Sequence, residues 1–348
     1  MTGMRRVLRI AGVAVAAVLA LVVLFVVFLT VNEYRPADVE AVQISHKQKE
    51  TDAGDEISVL TFNIGYAGLG RNEDFFMDGG EKVCPDSADT VNGYLEGIER
   101  VLENNPADVV FLQEVDRNSK RSYGIDEAEA LAGKMPADSA FAYNFKAAFV
   151  PYPIPPIGKV ESGLMTFSGR PIREARRVAL PIPFSWPVST CNLKRCLLVC
   201  RLPYQARELV LVNLHLEAYD EGEGKTEQTK VLVDYITDEY EKGNYVIAGG
   251  DFNQEFPNEA SYLRNGEEDW MPGIFDTSLL QKGWQIAVDS SVPTCRLLNK
   301  PYDGKSNTLY VIDGFLLSPN IELTSVETLK LDFEFSDHNP VRVTAKLK

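Results

Sequence analysis

Six short polar segments place the strongest constraint on this chain, because each one ends or interrupts an apolar run with the character of a β-strand. They are residues 61–63, 113–114, 213–215, 250–253, 312–313 and 336–338. Most of their polar side chains are carboxylates and carboxamides, which suit hard cations, and two of the chain's three histidines lie among them. The pattern predicts that distant parts of the chain build one polar, cation-binding site.

The N-terminal region predicts a membrane segment. Arg5, Arg6 and Arg9 precede residues 10–31, a run of 22 residues without a charge. At a rise of about 1.5 Å per residue, this run can cross a hydrocarbon core of about 30 Å. A cleaved signal peptide is the alternative, but the run stays bulky to its end, where a cut site requires small residues. We expect an uncleaved single-pass anchor in the cell membrane, a cytoplasmic tail at 1–9 and, by the positive-inside rule, an extracytoplasmic remainder.

The part of the chain after the anchor is strongly acidic. Three of the 35 basic residues lie in the tail, so the remainder carries a net charge of about −18. Such a surface repels polyanions unless a metal intervenes, which argues against a DNA substrate. The alternative interpretation is that the acidity only keeps an exported domain soluble.

Five cysteines follow the anchor. In an oxidising exterior some should pair, and Cys191 with Cys196 across a turn is a plausible bridge. Cys84 with Cys295 is a second possibility, which leaves Cys200 as a buried strand thiol. Zinc is disfavoured because the chain has no Cys-x-x-Cys pair. The sequence does not decide the connectivity.

Apolar periodicity predicts the fold class. Residues 32–55 are polar and read as a linker, with His46 solvated. Amphipathic helices are predicted at 89–104 and 225–241. Strands are predicted at 57–62, 109–112, 163–167, 196–200, 209–214, 245–248, 309–312 and 340–344, several of them apolar on both faces. Strands outnumber helices, which favours two packed sheets with helices outside, an α/β sandwich, over a doubly wound sheet.

Two segments rich in proline and aromatic residues, 149–157 and 180–187, are predicted to be loops or sheet edges, since proline cannot enter a central ladder. They could form apolar walls beside the site or touch lipid. A self-packed loop is the alternative.

The polar segments supply the groups that hydrolysis of a phosphate ester requires: a cation, a base for water, and an acid or donor for the leaving oxygen. Glu114, exposed at a strand end, is the best single metal ligand. Asp251 and Asn253 are two positions apart and can point to the same side, where they could accept a proton from water and hold its oxygen.

The histidines are candidates for proton transfer. His338 can exchange a proton beside a metal, and Asp313 is a candidate for fixing its tautomer. Asp313 could instead be a turn residue. His215, taken alone, would be a satisfied core histidine, and only the surrounding set makes it a candidate for the site.

The ordered motifs resemble the endonuclease/exonuclease/phosphatase superfamily, which includes DNase I-like nucleases, abasic-site endonucleases, inositol polyphosphate 5-phosphatases and neutral sphingomyelinases. The resemblance covers about 56–348, which we expect to be the catalytic domain. It implies a four-layered α/β sandwich, two mixed sheets flanked by helices. The residues that carry it are Asn63, Glu114, His215, Asp251, Asn253, Asp313, Asp337 and His338.

The resemblance also implies roles for these residues. Glu114 would bind Mg²⁺, or Mn²⁺, with help from Asn63 and Asp337, while Asp251 and Asn253 would orient or activate the nucleophile. His338, held by Asp313, would contact the scissile phosphate, and His215 would be the second histidine at the phosphate. Glu161 resembles a glutamate that supports that second histidine. The chain departs from the family at Gly314-Phe315, where a tyrosine or another large residue often follows the aspartate.

The sequence therefore predicts a membrane-anchored, Mg²⁺-dependent phosphoesterase or phosphodiesterase. A phospholipid-like headgroup or another small phosphodiester is the favoured substrate, and no protein partner is predicted. An extracytoplasmic DNase I-like nuclease is the first alternative. The second is a binding module that has kept the fold without catalysis.

Overall fold

The apolar runs of the sequence form the interior of two seven-stranded mixed sheets. The structure, a computed structural model, describes residues 2–47, 54–220, 222–257, 262 and 270–348. Its helices are α1 (Thr2–Val31), α2 (Ala88–Asn104), α3 (Glu127–Lys134) and α4 (Glu223–Glu241). Its strands are β1 (Val39–Ala41), β2 (Ile44–Ser45), β3 (Glu56–Asn63), β4 (Val109–Asp116), β5 (Asp138–Val150), β6 (Gly158–Ser168), β7 (Glu174–Ala179), β8 (Cys196–Tyr204), β9 (Arg207–His215), β10 (Tyr245–Asp251), β11 (Gln254–Glu255), β12 (Gly273–Ile274), β13 (Gln285–Ala287), β14 (Cys295–Arg296), β15 (Leu309–Tyr310), β16 (Asp313–Leu317), β17 (Ile321–Thr328) and β18 (Val341–Leu347).

The first sheet has the order β1-β7-β8-β9-β10-β16-β13, and the second has the order β17-β18-β3-β4-β6-β5-β2. Most neighbouring strands are antiparallel, but β9 pairs with β10, and β3 with β4, in parallel. Because parallel strands present their carboxyl ends at the same sheet edge, these two pairs align the ends of four central strands. The predicted polar segments at 61–63, 113–114, 213–215 and 250–253 lie at these ends.

Three apolar layers hold the sheets and helices together. The largest core lies between the two sheets and includes Val59, Phe111, Leu211 and Phe315, all fully buried. A second core joins the outer face of the second sheet to α2 and α3, and a third joins the first sheet to α4. The order helix, sheet, sheet, helix confirms the predicted four-layered α/β sandwich.

Local sequence explains where the outer helices begin. Ser87 caps α2 by accepting a hydrogen bond from the backbone N–H of Thr90, and Asp126 caps α3 in the same way through Glu129. Both predicted helices, 89–104 and 225–241, are confirmed within two residues as α2 and α4. The short helix α3 and the strands β5, β7 and β17 were not among the predicted elements.

Two predictions about chain segments are wrong in part. The strand expected at 309–312 is divided, since β15 ends at Tyr310 and β16 begins at Asp313. The expected linker contains β1, which pairs with β7, and β2, which pairs with β5, so it contributes an edge strand to each sheet. His46 has an exposed ring, as expected, but its Nδ1 lies 3.1 Å from the buried Asp138 carboxylate.

The suggested disulfides are also not formed, and all five cysteines are free. Cys196 begins β8 and turns its Sγ toward the carbonyl of Tyr143 in the core, whereas Cys191 lies in a separate turn with its Sγ near the carbonyl of Val188. The two thiols therefore point to different neighbours. Cys200 is buried in β8, as predicted.

The apolar N-terminal run forms one continuous helix, α1. Its residues Gly3–Val31 have a mean hydropathy of 3.2 and are long and apolar enough to cross a membrane. Length and apolar composition near the N-terminus are also met by a signal sequence. The proline-rich segments lie outside strands at 151–157 and 180–187, which confirms that they are loops.

Candidate active site

Three site residues lie side by side at the end of the first sheet. Asp251, the last residue of β10, is in register with His215 of β9 on one side and with Asp313 of β16 on the other. Neighbouring residues in register point to the same face of a sheet. This pairing explains why side chains from three distant sequence segments meet.

A β-bulge positions Glu114 at the end of the second sheet. The pairing of β4 with β6 shifts register between Leu112 and Val115, and Glu114 adopts a left-handed conformation with φ of 54°. Such a conformation is costly for a residue with a side chain and is found mostly where function requires it. The bulge turns the Glu114 side chain into the cavity between the two sheet ends.

Asn63 joins the two sheets. Its Nδ2 donates hydrogen bonds to Glu114 Oε1 and to Asp251 Oδ2, each at 3.1 Å, and it lies 3.5 Å from His338 Nε2. Its Oδ1 accepts a bond from the N–H of Gly65. The side chain is buried, so this one amide fixes the relative positions of a carboxylate from each sheet.

His338 and Asp313 form a buried pair. The Nδ1 of His338 lies 2.8 Å from Asp313 Oδ2, and Ser336 holds the loop by accepting the His338 N–H and donating to the carbonyl of Asn63. Burial alone would lower the pKa of His338, but the Asp313 carboxylate, with further acidic neighbours, holds that pKa well above its usual range. These carboxylates thus favour the charged form of the ring, and its Nε2 faces Asp251 at 3.7 Å.

His215 has the opposite electrostatics. Burial lowers its pKa well below the usual range, and the nearby guanidinium of Arg195 lowers it further. Its Nε2 lies 3.4 Å from Asp251 Oδ2, and its buried Nδ1 has no hydrogen-bond partner among the described residues. The two imidazoles that flank Asp251 thus have pKa values shifted in opposite directions.

The carboxylates of the site carry an excess of negative charge that fits a divalent cation. Burial raises the pKa of Asp337 to about 7, opposed by His338 and reinforced by Glu114. Burial likewise raises the pKa of Asp251, and Asp313 adds to this effect. Raised values of this kind indicate oxygen ligands without enough positive charge to balance them, which is the environment a hard cation stabilises.

The structure gathers the possible ligand atoms in two groups. Asp251, Asp313 and His338 form one group, and Cys295, Asp337 and His338 form the other, with the atoms of each within 4.8 Å of one another. Cys295 was not a predicted site residue. It reaches His338 because β14 forms a single bridge with the chain at that residue.

One predicted site residue lies elsewhere. The carboxylate of Glu161 is 3.3 Å from Lys159 Nζ and 3.9 Å from Lys146 Nζ, and no hydrogen bond to His215 is present in the described part of the chain. Side chains alternate along β6, and the next residue, Ser162, is the one that lines the cavity. The predicted support of His215 by Glu161 is therefore wrong.

Two arginines complete the site, and sequence analysis missed both. Arg195 is paired with Glu217 at 3.1 Å and donates to the carbonyl of His215. β8 and β9 form a hairpin with its turn at 205–206, and the register of this hairpin places Arg195 beside His215. Recognising this turn in the sequence would therefore have identified Arg195. Arg121 is paired with Asp116, and its guanidinium stacks 3.7 Å from the ring centre of Tyr66, a contact with no signal in residue spacing.

A cavity of about 500 Å³ opens on these groups. One side is polar and presents Glu114, Asp251 and His338, among others. The other sides are mostly apolar and come from the loops around residues 75–77, 150–157 and 184–193. The volume suits a ligand of drug or headgroup size.

A model of the endonuclease/exonuclease/phosphatase family matches residues 60–338. None of the curated proteins compared with the chain matches it in sequence. Among solved structures, an endonuclease/exonuclease/phosphatase from Beutenbergia cavernae is similar over 84% of this chain and 72% of its own, with a TM-score of 0.59 and 18% identity. A protein of unknown function from Enterococcus faecalis covers 84% and 100%, with a TM-score of 0.55 and 16% identity.

The structure of D. rerio TDP2 complexed with a single-strand DNA product covers 84% of this chain and 99% of its own, with a TM-score of 0.51 and 16% identity. At these identities the solved structures establish the fold. The family match covers every polar segment from which the site is built.

Proposed function

Because the chain belongs to the endonuclease/exonuclease/phosphatase family of metal-dependent phosphoester hydrolases, we propose that it is a membrane-anchored, Mg²⁺-dependent phosphodiesterase that hydrolyses a phospholipid-like or other small phosphodiester. The helix α1 would anchor it in the cell membrane, with residues 1–9 in the cytoplasm and the catalytic domain outside. The arginines before the apolar run support this orientation.

The apolar cavity beside the polar site is the observation that carries the proposal. Phe75, Phe76, Tyr152 and Phe184 line it together with Glu114, Asp251 and His338, which meet around Asn63. A phosphate held by these three groups would place its apolar substituent against the aromatic walls. A nucleic acid would instead require a basic groove, and the net charge of about −18 on the part after the anchor argues against one.

The proposed chemistry begins with the attacking water. Asp251 accepts hydrogen bonds from Asn63 and from the backbone N–H of Asn253, which fix both of its oxygens. We assign Asp251 to take the proton of the water, and Asn253, also at the cavity, to hold the water's oxygen. The neutral His215 beside Asp251 would help to orient the phosphate.

The leaving group needs a proton. The charged His338, held by Asp313, would contact the scissile phosphate and donate from Nε2 toward the leaving oxygen. Since Asp313 occupies Nδ1, only Nε2 is available for this transfer. Arg195 and Arg121 add positive charge at the cavity wall.

Glu114, Asn63 and Asp337 would hold Mg²⁺, with Mn²⁺ as a substitute. A bound divalent cation would neutralise charge on the phosphate. The raised pKa of Asp337, about 7, supports this assignment, because His338 and Arg296 only partly offset the burial of that carboxyl, and a cation would stabilise its charged form. Asn63 would contribute its side-chain Oδ1, which accepts the N–H of Gly65 in this structure.

A substrate panel tests the proposal. The full chain, reconstituted in liposomes, would be incubated with Mg²⁺ or with EDTA against phosphatidylcholine, sphingomyelin and phosphoinositides in the bilayer, and against supercoiled plasmid. The full chain is needed because a fragment without the anchor that begins at residue 42 would lose β1. Asp251→Asn serves as the inactive control.

Release of headgroup or phosphate that requires both Mg²⁺ and Asp251 would support a lipid-directed enzyme. Plasmid nicking with the same requirements and without lipid turnover would identify an anchored nuclease instead. Equal background rates for the native chain and Asp251→Asn on every substrate would favour a phosphate-binding module without catalysis.

A further inference from the structure

Five exposed apolar side chains cluster on the two proline-rich loops. They are Tyr152, Ile154, Ile182, Trp186 and Val188, and we call them the apolar rim. Outside α1, ten large hydrophobic side chains are exposed among the described residues, and the rim holds half of them. Ile154 is the extreme case at 95% exposed. Exposure of this kind on neighbouring loops marks an interaction surface.

The last turns of α1 pack against the end of β5, next to the first of these loops, and against the second loop. The ring of Phe25 lies edge-on to Phe149 with 6.0 Å between centroids, and Leu29 is only 6% exposed. The indole N–H of Trp186 donates to Thr30 Oγ1 at 3.1 Å. The loops therefore accompany α1 over its final residues instead of standing clear of it.

A buried ion pair fixes this arrangement from the domain side. Just after α1, Glu33 pairs with Lys194 Nζ at 2.9 Å, and both side chains are almost fully buried. Lys194 also donates to the carbonyl of Ser189, next to the rim residue Val188. The end of the helix and the rim are thus held in one local structure.

The length of α1 sets the depth of these contacts. Phe25 is six residues before the helix end at Val31, which corresponds to about 9 Å along the axis. If α1 spans the bilayer, Phe149 is at the level of the outer hydrocarbon and headgroup boundary. Trp186, an amphipathic side chain of the type enriched at this boundary, is beside Thr30.

The rim continues into the cavity. Tyr152 packs edge-on against Phe76 at 5.5 Å, and both residues line the cavity that contains Glu114 and Asp251. Val188 also belongs to both the rim and the cavity wall. An apolar path therefore leads from the end of α1 to the carboxylates of the site.

From these contacts we infer that the apolar rim inserts into the outer boundary of the bilayer that α1 spans and forms a portal through which a lipid headgroup enters the site without leaving the membrane. The surface assignment rests on the rim and its contacts with α1, and its role as a substrate portal rests on the proposed function. The cavity suits the headgroup and its nearest atoms, so the acyl chains remain in the bilayer.

Tryptophan quenching tests the surface directly. The chain has three tryptophans, and its full length would be reconstituted in phosphatidylcholine liposomes with or without bromine on the acyl chains. We expect brominated lipid to quench the native protein, and Trp186→Phe to lose most of this quenching. Trp284→Phe, whose ring packs against Tyr240 under α4, is the matched control and keeps it. Equal quenching of the native protein and Trp186→Phe would overturn the inference.

Activity measurements distinguish the membrane contact of the rim from the proposed function. We expect Ile154→Asp to lower hydrolysis of bilayer lipid about tenfold and to change hydrolysis of soluble bis(4-nitrophenyl) phosphate less than twofold, because only the first substrate needs the membrane contact. Ile274→Asp, at a position that is 74% exposed and outside the rim, is the control and leaves both rates unchanged.

The outcomes are distinguishable. Lipid hydrolysis that survives Ile154→Asp, with no quenching through Trp186, refutes the portal and leaves the lipid enzyme standing. Quenching through Trp186 with hydrolysis of the soluble diester alone refutes the lipid substrate and the portal role, and supports the membrane contact of the rim.

Discussion

Replacing Asp313 with asparagine tests the electrostatics on which proton donation by His338 depends. The substitution keeps the size of the side chain and an oxygen that can accept the bond from Nδ1, which spans 2.8 Å in the native protein. It removes the negative charge. The burial that opposes the charged imidazole remains, so the pKa of His338 falls.

The expected loss of rate follows from the strength of the hydrogen bond between His338 and Asp313. A hydrogen bond to a charged group contributes about 1.5–3 kcal/mol, and one between neutral groups about 0.5–1.5 kcal/mol. Because asparagine keeps the bond and loses the charge, about 1–1.5 kcal/mol is lost from the transition state and the rate falls by about 5- to 10-fold, since about 1.4 kcal/mol corresponds to a factor of ten. The pH profile changes as well. A lower pKa deprotonates the ring earlier as pH rises, so the alkaline limb moves to lower pH.

The assay would follow kcat/KM for a soluble phosphodiester at saturating Mg²⁺ from about pH 5 to 9, around the unperturbed histidine value. Asp276→Asn, at an exposed turn away from the site, is the control for the loss of one carboxylate. A thermal melt checks that the variant is folded at the assay temperature. A rate for Asp313→Asn within threefold of native, with an unmoved alkaline limb, would refute the assigned role of the pair.

Three further predictions concern the metal, an ion pair and the backbone. Mg²⁺ should raise the melting temperature more at pH 8 than at pH 5, because burial raises the pKa of Asp337 to about 7 and protons then compete with the metal. Without metal, the folded state binds this proton up to a higher pH than the unfolded state does. The contribution of Asp337 to stability therefore falls as pH rises from about 4 to 7. Differential scanning fluorimetry measures this shift, and Asp337→Asn should reduce its pH dependence. Burial raises the pKa of Glu239, but its arginine and lysine partners outweigh burial and lower that pKa to about 2. The stabilisation from Glu239 is therefore present above about pH 4.5 and is lost as pH falls toward 2. Glu239→Gln should lower the free energy of unfolding in urea by about 3 kcal/mol at pH 7 and by less at pH 3, with unchanged kcat. Gly250→Ala should lower the free energy of unfolding by about 2 kcal/mol or more, because the φ of Gly250 is 146° and a Cβ would lie 2.0 Å from a carbonyl oxygen of β9. Gly222→Ala, with a φ of 100° and open space around the new Cβ, should lower the free energy of unfolding by less.

The sequence was sufficient to predict much of the site because the site is built at strand ends. A strand leaves an apolar run, and the polar residues that follow it are visible without knowledge of the fold. His215, Asp251 and Asp313 were identified in this way, and strand pairing then placed them in register. The order of layers was predictable for the same reason, since the two amphipathic helices each precede a buried strand.

Other features depend on pairing that residue spacing does not encode. The bulge that turns Glu114 into the cavity arises from a register shift between β4 and β6, strands about 50 residues apart in the chain. Arg195 reaches the carbonyl of His215 through the β8–β9 hairpin. The assignment of Glu161 failed for a related reason, because a one-residue difference in a strand reverses the face and Ser162 occupies the cavity side instead.

The N-terminal region shows a third limit. The segment at 32–55 lacks apolar periodicity, yet it supplies β1 and β2, because two or three residues are enough to add an edge strand to an existing sheet. The packing of Phe25 and Thr30 against the proline-rich loops is equally invisible in the sequence. Composition identified an apolar helix and apolar loops, and only the structure brought them together.

The most direct test of a divalent-metal site for phosphoester hydrolysis is to measure metal binding and hydrolysis together in Glu114→Gln. We would titrate the EDTA-treated full chain with Mn²⁺, follow binding by electron paramagnetic resonance, and assay the same samples on a soluble phosphodiester. Glu327→Gln, at an exposed strand position outside the site, is the control. We expect Glu114→Gln to lose high-affinity binding and hydrolysis in parallel while the control keeps both. Native metal affinity and native rate in Glu114→Gln would contradict the assignment of the site.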